Sequence, residues 1–290
     1  MIGEPKVTVT ILSNDCVAPP PGMPILGEHG FSALIEVAGE RRPYRLLLDT
    51  GFTGEVVLHN ADLLGVDLYN IDFIVLSHRH YDHTGGLPAL MNRVKKDAVV
   101  VAHPAVLKPC FSRKPRLRII GMPREARMAV EDRLLLSPQP LELVPGVFFL
   151  GEVRRSNKVE KCEGFLTASE GGLTPDEMLD DTGVAINIGD GALLVTGCSH
   201  SGVVNMAEWA LEVTGASRLL GVIGGFHLVG ASDDRIAWTC KQLTSFSPRI
   251  LAPMHCTGFK ATMALMKAAP SSFRMAGSGT ILTVGGGNLD

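Results

Sequence analysis

No apolar run reaches the ~18 residues that a membrane-spanning helix needs, so the sequence offers no bilayer segment. Its first residues, Met1-Ile2-Gly3-Glu4-Pro5-Lys6, lack the basic-then-apolar order of an export signal. No Cys-x-x-Cys pair occurs: the six cysteines, Cys16, Cys110, Cys162, Cys198, Cys240 and Cys256, stand far apart. With no export signal, they are expected to be reduced thiols in a cytoplasmic protein. One-sided charge is missing too. A net charge of -3 and a pI near 6.3 give no ground for a nucleic-acid or membrane partner. What is present is a chain of 290 residues, 46% hydrophobic, long enough for a large core and compatible with one α/β domain over residues 1–290.

The densest chemistry lies in Ser77-His78-Arg79-His80-Tyr81-Asp82-His83-Thr84-Gly85-Gly86. It follows the largely apolar run Ile71–Leu76, which reads as a buried strand. Imidazole and carboxylate together suit zinc, iron or manganese. Along an extended chain His78 and His80 share a face and reach one ion. A turn after them lets Asp82 and His83 face a second ion. Gly85 and Gly86 suit a tight turn or a backbone pressed close to the site.

Strand and helix patterns alternate around this motif. Strands are predicted at Val7–Leu12, Phe31–Val37, Tyr44–Leu48 and Ala98–Ala102, and helices at Glu55–Leu64 and Leu87–Lys96. Between about 104 and 175 the pattern weakens into an insertion plus edge strands that covers the site from one side. It includes the basic stretch Arg113, Lys114, Arg116 and Arg118, readable as a solvated face or as a phosphate-binding lid. The apolar runs of this region leave a homo-oligomer open. In the second half, strands at Val184–Ile188, Ala192–Thr196, Leu219–Ile223 and Arg249–Pro253 come before Cys198-Ser199-His200, Phe226-His227 and His255-Cys256. Helices are predicted at Val203–Thr214, Asp233–Thr244 and Phe259–Ala268, and a last strand at Thr280–Val284. Seven of nine histidines fall at or just after predicted strand ends; His29 and His59 do not and receive no role.

His-x-His-x-Asp-His resembles the signature of the metallo-β-lactamase-fold hydrolases, and Leu48-Asp49-Thr50-Gly51 resembles their earlier motif. Gly197-Cys198-Ser199-His200-Ser201-Gly202, Gly224-Gly225-Phe226-His227 and His255-Cys256-Thr257-Gly258 are similar to a branch that includes an archaeal pterin-condensing synthase. The resemblance implies a four-layer αβ/βα sandwich of two mixed β-sheets with outer helices. It implies one or two divalent ions, zinc first, with iron or manganese as alternatives. The implied ligands are His78, His80, Asp82, His83, His200 and His255, with Asp49 and Cys198 behind them and Asp49 orienting them. Family members end one strand in Gly-Asp, whose carboxylate bridges two ions. Here the strand ends in Gly197-Cys198, so Cys198 or His200 stands in its place, with Asp180 or Asp181 as alternative ligands. His227 reads as a further ligand, as the acid that protonates a leaving group, or as a structural histidine. On this reading Asp82 is expected to bind metal and help hold the attacking hydroxide, and Arg113, Lys114 and Arg116 to bind an anionic substrate if their segment closes over the site. The implied activity is metal-dependent hydrolysis of a phosphate ester or similar anionic small molecule. A pterin-condensing transferase with diphosphate as leaving group is the alternative, and a di-iron redox protein comes last.

Overall fold

The structure, a computed structural model, describes residues 5–18 and 22–285. The strands in chain order are β1 (Val7–Ser13), β2 (Ser32–Val37), β3 (Tyr44–Leu48), β4 (Phe73–Val75), β5 (Val99–Ala102), β6 (Phe111–Ser112), β7 (Arg118–Ile119), β8 (Leu134–Leu136) and β9 (Leu141–Val144). They continue as β10 (Val147–Phe149), β11 (Phe165–Ser169), β12 (Gly172–Pro175), β13 (Gly183–Ile188), β14 (Gly191–Thr196), β15 (Arg218–Gly225), β16 (Ile250–Met254) and β17 (Ile281–Val284). The helices are α1 (Glu55–Leu64), α2 (Tyr81–Thr84), α3 (Leu87–Leu90), α4 (Arg124–Val130), α5 (Val203–Thr214), α6 (Asp233–Ser245) and α7 (Phe259–Ala268).

Two mixed sheets carry the architecture. One has seven strands in the order β17-β1-β2-β3-β4-β5-β8, the other six in the order β16-β15-β14-β13-β10-β9. The period-2 side-chain alternation of each strand explains how they stack. Val9, Ile35, Leu46 and Val101 of the first sheet meet Val184, Ile186, Leu193 and Val195 of the second in one buried cluster. The intervening Leu34, Leu47 and Val100 face outward onto α1, α3 and α4. Ala185, Leu194 and Val222 likewise face α5, α6 and α7. The result is helices, sheet, sheet, helices.

The segment 104–175 is shared out. β8 extends the first sheet beside β5, β9 and β10 extend the second beside β13, and β6, β7, β11 and β12 form a separate four-stranded sheet. The helix expected over Leu87–Lys96 stops at Leu90. Arg93 and Val94 both donate to the Leu90 carbonyl, and the Lys95 N–H goes to Tyr69 O at 3.0 Å instead of continuing a ladder. Among the described residues no helix is long and apolar enough to cross a membrane.

In the loop leaving β4, alternate residues point opposite ways. His78 and His80 go to one side and Arg79 to the other, where its buried guanidinium pairs with Asp176 and Asp180. The Arg79 N–H also donates to Asp180 Oδ2 at 2.8 Å. Removing one member of a buried ion pair leaves its partners charged and desolvated. Arg79→Met should therefore cost about 3–5 kcal/mol of stability. Urea unfolding followed by circular dichroism measures this; a midpoint equal to wild type would mean that the triad does not hold the loop.

Candidate metal centre

β3, β4 and β5 run parallel, as do β14, β15 and β16, so each set ends on one edge of its sheet. Asp49 follows β3, Ser77 to His80 follow β4, Cys198 to His200 follow β14, His227 follows β15 and His255 follows β16. These ends meet. Of the six non-glycine residues with positive φ among those described, four are Asp49 (59°), Ser199 (65°), His227 (46°) and His255 (51°). Each such backbone costs roughly 1–3 kcal/mol, a strain that collects at functional sites. Gly86 serves close approach, not a left-handed turn: its φ is -76°, and a Cβ there would lie 2.0 Å from Thr50 O.

Hydrogen-bond partners decide which nitrogens are free; the tautomers follow from those partners. Asp49 Oδ2 accepts from His83 Nδ1 at 2.7 Å and from Ser77 Oγ at 2.6 Å, and Oδ1 accepts from Ser77 N at 2.7 Å. The single hydroxyl hydrogen of Ser77 is thus spent on Asp49. Ser77 Oγ then accepts from His78 Nδ1 at 2.9 Å. Asp15 Oδ2 accepts from His255 Nδ1 at 2.5 Å. In each of these three rings Nε2 is left with a lone pair. His83 Nε2 faces His255 Nε2 at 3.1 Å, and His78 Nε2 faces His200 Nε2 at 3.2 Å. His200 Nδ1 has no partner, so His200 Nε2–H can donate to His78 Nε2, whereas the two lone pairs of the His83–His255 contact repel unless a proton or a metal cation lies between them. Burial pushes His78 and His200 well below the usual imidazole range, and drives His80 down to about 3. Burial opposes protonation of His83 as well, yet Asp49 and Asp82 outweigh it and raise that ring to about 9. This pocket calls for positive charge, and the donor set suits a borderline-soft divalent ion.

Among the described residues the ligand-type atoms fall into four compact groups: two pair His78 with His200 and His83 with His255, each with the Sγ of Cys198; a third joins Cys198, His227 and Cys256, and a fourth Asp15, His29 and His255. Asp82 Oδ2 lies 3.5 Å from Nε2 of both His83 and His255. Burial alone would raise Asp82, but His83 and His255 hold it below the ordinary carboxylate range. His80 packs its ring 4.6 Å from His78 and 4.8 Å from His200, while its Nε2 is 3.5 Å from Cys110 Sγ, which leaves Nδ1 as its available donor. His227 stacks 4.1 Å from His200, its Nδ1 buried without a partner.

Other expected residues lie elsewhere. Asp180 is engaged by Arg79, and Asp181 Oδ2 accepts from Ser201 N and Oγ, so neither joins the two groups. Arg113, Lys114 and Arg116 sit on the exposed turn between β6 and β7, outside the lining of the adjoining cavity, which Arg118 does line. That cavity, about 180 Å³, also exposes His80, Asp82, Phe165 and His227. A second cavity of about 310 Å³, lined by Lys161, Ser199, His200, His227 and Arg235, meets it at His200 and His227. His29, given no role from sequence, hydrogen-bonds Asp15 at 2.8 Å and brings Nε2 to 3.5 Å from Asp82 Oδ2. Nothing in its local sequence signals this, because a loop fold brings it there.

A layered sandwich with histidines gathered at its strand ends defines a class of metal-dependent proteins. The chain belongs to the metallo-beta-lactamase superfamily, whose sequence model matches residues 30–200. It is 35% identical over 267 residues to the 7,8-dihydropterin-6-methyl-4-(beta-D-ribofuranosyl)-aminobenzene-5'-phosphate synthase of Methanocaldococcus jannaschii, covering 89% of this chain and 91% of that one. The crystal structure of Tm1679, a metal-dependent hydrolase of the beta-lactamase superfamily, superposes with a TM-score of 0.78 at 26% identity, over 96% of this chain and 99% of that one. Zn(2+)-bound PqqB from Methylobacterium extorquens shares the fold, with a TM-score of 0.54 at 13% identity over 95% and 99% of the two chains.

The Asp49 relay gives a direct test. Asp49→Asn keeps a residue that tolerates the left-handed backbone but removes the charge that fixes His83 and Ser77. Metal affinity, read by chelator competition, should fall about 10–100-fold. Unchanged affinity would mean that the relay does not set ligand orientation.

Proposed function

We propose that this protein is a metal-dependent hydrolase acting on a phosphate ester or a similar anionic small molecule. The observation that supports it most is the pair of facing Nε2–Nε2 contacts, at 3.1 and 3.2 Å, opening onto cavities that carry cationic side chains. His78, His80 and His200 would hold one ion, and Asp82, His83 and His255 a second. Zinc is the first choice for this imidazole-rich set, with iron or manganese as alternatives. A divalent ion bound there supplies Lewis acidity and lowers the pKa of a coordinated water from ~15.7 toward ~7.

The chain's own groups do the rest. Asp49, directly and through Ser77, keeps Nε2 of His83 and His78 as lone-pair donors. Ionised Asp82 stands on the cavity wall as a hydrogen-bond acceptor for the attacking nucleophile. Lys161 and Arg235 on one side, and Arg118 on the other, attract an anionic group. They replace Arg113, Lys114 and Arg116 in our reading of substrate binding. His227, shared by both cavities, is placed to give a proton to the leaving group. Its pKa is raised: burial opposes this, but the neighbouring Cys256 favours the charged ring.

The 35% identity to a synthase favours a second reading, condensation of a pterin carrying diphosphate with a ribosyl-aminobenzene acceptor. One assay separates the two. Metal-loaded protein is offered generic phosphomonoesters and phosphodiesters, and a pterin diphosphate with and without the acceptor. Turnover of simple esters, lost with chelator and reduced at least about 100-fold by His227→Ala if it is the general acid, supports hydrolysis. Diphosphate release that requires the acceptor supports transfer. No metal-dependent turnover of any of them counts against both.

A further inference from the structure

Apolar side chains left in water are ordinary when scattered and informative when gathered. Beside the candidate metal centre several gather. Phe259 is 82% exposed, Val229 65%, Met275 61% and Met263 39%. Phe259 and Met263, four residues apart, share one face of α7, and Met275 reaches them from the segment before β17. With Met254 they line a cleft of about 170 Å³ whose described lining holds no Lys, Arg, Asp or Glu. This cleft adjoins the site at two places. His255 borders both the cleft and the cavity that carries Arg118. Gly258, also in the cleft wall, packs on Val229: a Cβ there would lie 2.5 Å from Val229 Cγ2. Val229 in turn lines the cavity that carries Lys161 and Arg235.

Resting on the phosphate-ester reading above, we propose that this cleft is a substrate subsite for the hydrocarbon arm of an ester whose anionic head lies at the candidate metal centre. The division of chemistry along the surface supports it. The cationic cavities attract a charged head, while the cleft offers a charge nothing and an apolar chain much. Thioether side chains adapt to chains of irregular shape. Exposed Val229 forms an apolar step between the two regions, and its loop is fixed. The N–H groups of Leu228 and Val229 both donate to Cys256 O, at 3.1 and 3.0 Å. The size of the cleft favours a short chain over a second copy of the protein, since a stable dimer buries roughly 800 Å² on each partner.

Titration calorimetry of the zinc-loaded full chain with methyl, butyl and octyl phosphate tests this without reference to turnover. Each methylene that leaves water for the cleft tightens binding by up to about fourfold, so octyl phosphate should bind at least about tenfold more tightly than methyl phosphate. The triple variant Phe259→Ser, Met263→Gln, Met275→Gln should hold methyl phosphate as wild type does and lose most of that gain. Met275→Gln alone should lose part of it, and carries the test if the triple variant does not fold. A wild type that binds methyl and octyl phosphate alike, or whose gain survives in the variants, overturns the subsite alone. Octyl binding that stays as tight without zinc overturns it too, because the arm would then be held apart from the head. A wild-type dimer that the triple variant splits on sedimentation, with no gain from chain length, assigns the cleft to a second copy instead. A zinc-loaded wild type that binds none of the three phosphates removes the phosphate-ester reading itself.

Discussion

The buried carboxylate of Asp49 is the constraint on which this site depends. It is fully enclosed, so it must be paired. It takes hydrogen bonds from His83 and from both donors of Ser77, and through Ser77 it sets His78. One anion thus fixes one ring in each of the two nitrogen groups. The close fit of Gly197 against the same carboxylate ties in β14 from the opposite sheet. The spacing of the two sheets, set by the apolar layer between them, is therefore also the spacing of the ligands.

That arrangement is held under strain. Asp49, Ser199, His227 and His255 all sit in left-handed backbone where β-strands end. Such turns persist only where the packing around them leaves no alternative. The cores on both sides of each sheet supply this, and Arg79 supplies it locally. With its charge paired to Asp176 and Asp180, Arg79 anchors the loop after β4 and keeps His78 and His80 on the side of the candidate metal centre.

Much of the frame was legible in the sequence because local signals agreed with global packing. Helices α1, α5 and α7 fall on the expected residues, α1 and α5 each stopped by a left-handed glycine, Gly65 and Gly215. The strands that precede the ligands alternate or run apolar as buried strands must. The middle was harder to read, since β8 pairs with β5, β10 with β13 and β6 with β11. Nothing in a two- or three-residue strand announces a partner dozens of residues away. The same limit hid His29 and Asp15. Their neighbours in space belong to other loops, whereas the His78–His83 cluster is crowded in sequence and so declares itself. Ser77 reads as an ordinary hydroxyl until Asp49 is seen to claim its hydrogen.

The two cavities bear on which chemistry this scaffold can support. They meet at His200 and His227, one carrying Lys161 and Arg235, the other Arg118 and Phe165. A hydrolase needs one chamber for its anion, and water reaches the centre through the other. A condensing enzyme must seat two organic reactants on opposite sides of the same ions, and so needs both chambers filled. Phe165, with its ring 4.9 Å from His80 and 5.0 Å from His200, is the surface on which a flat heterocycle would stack in the second case. In the first case it is only part of the chamber wall. The distinction between the two proposed activities therefore lies in what occupies the Phe165 side, while the histidine cluster is common to both.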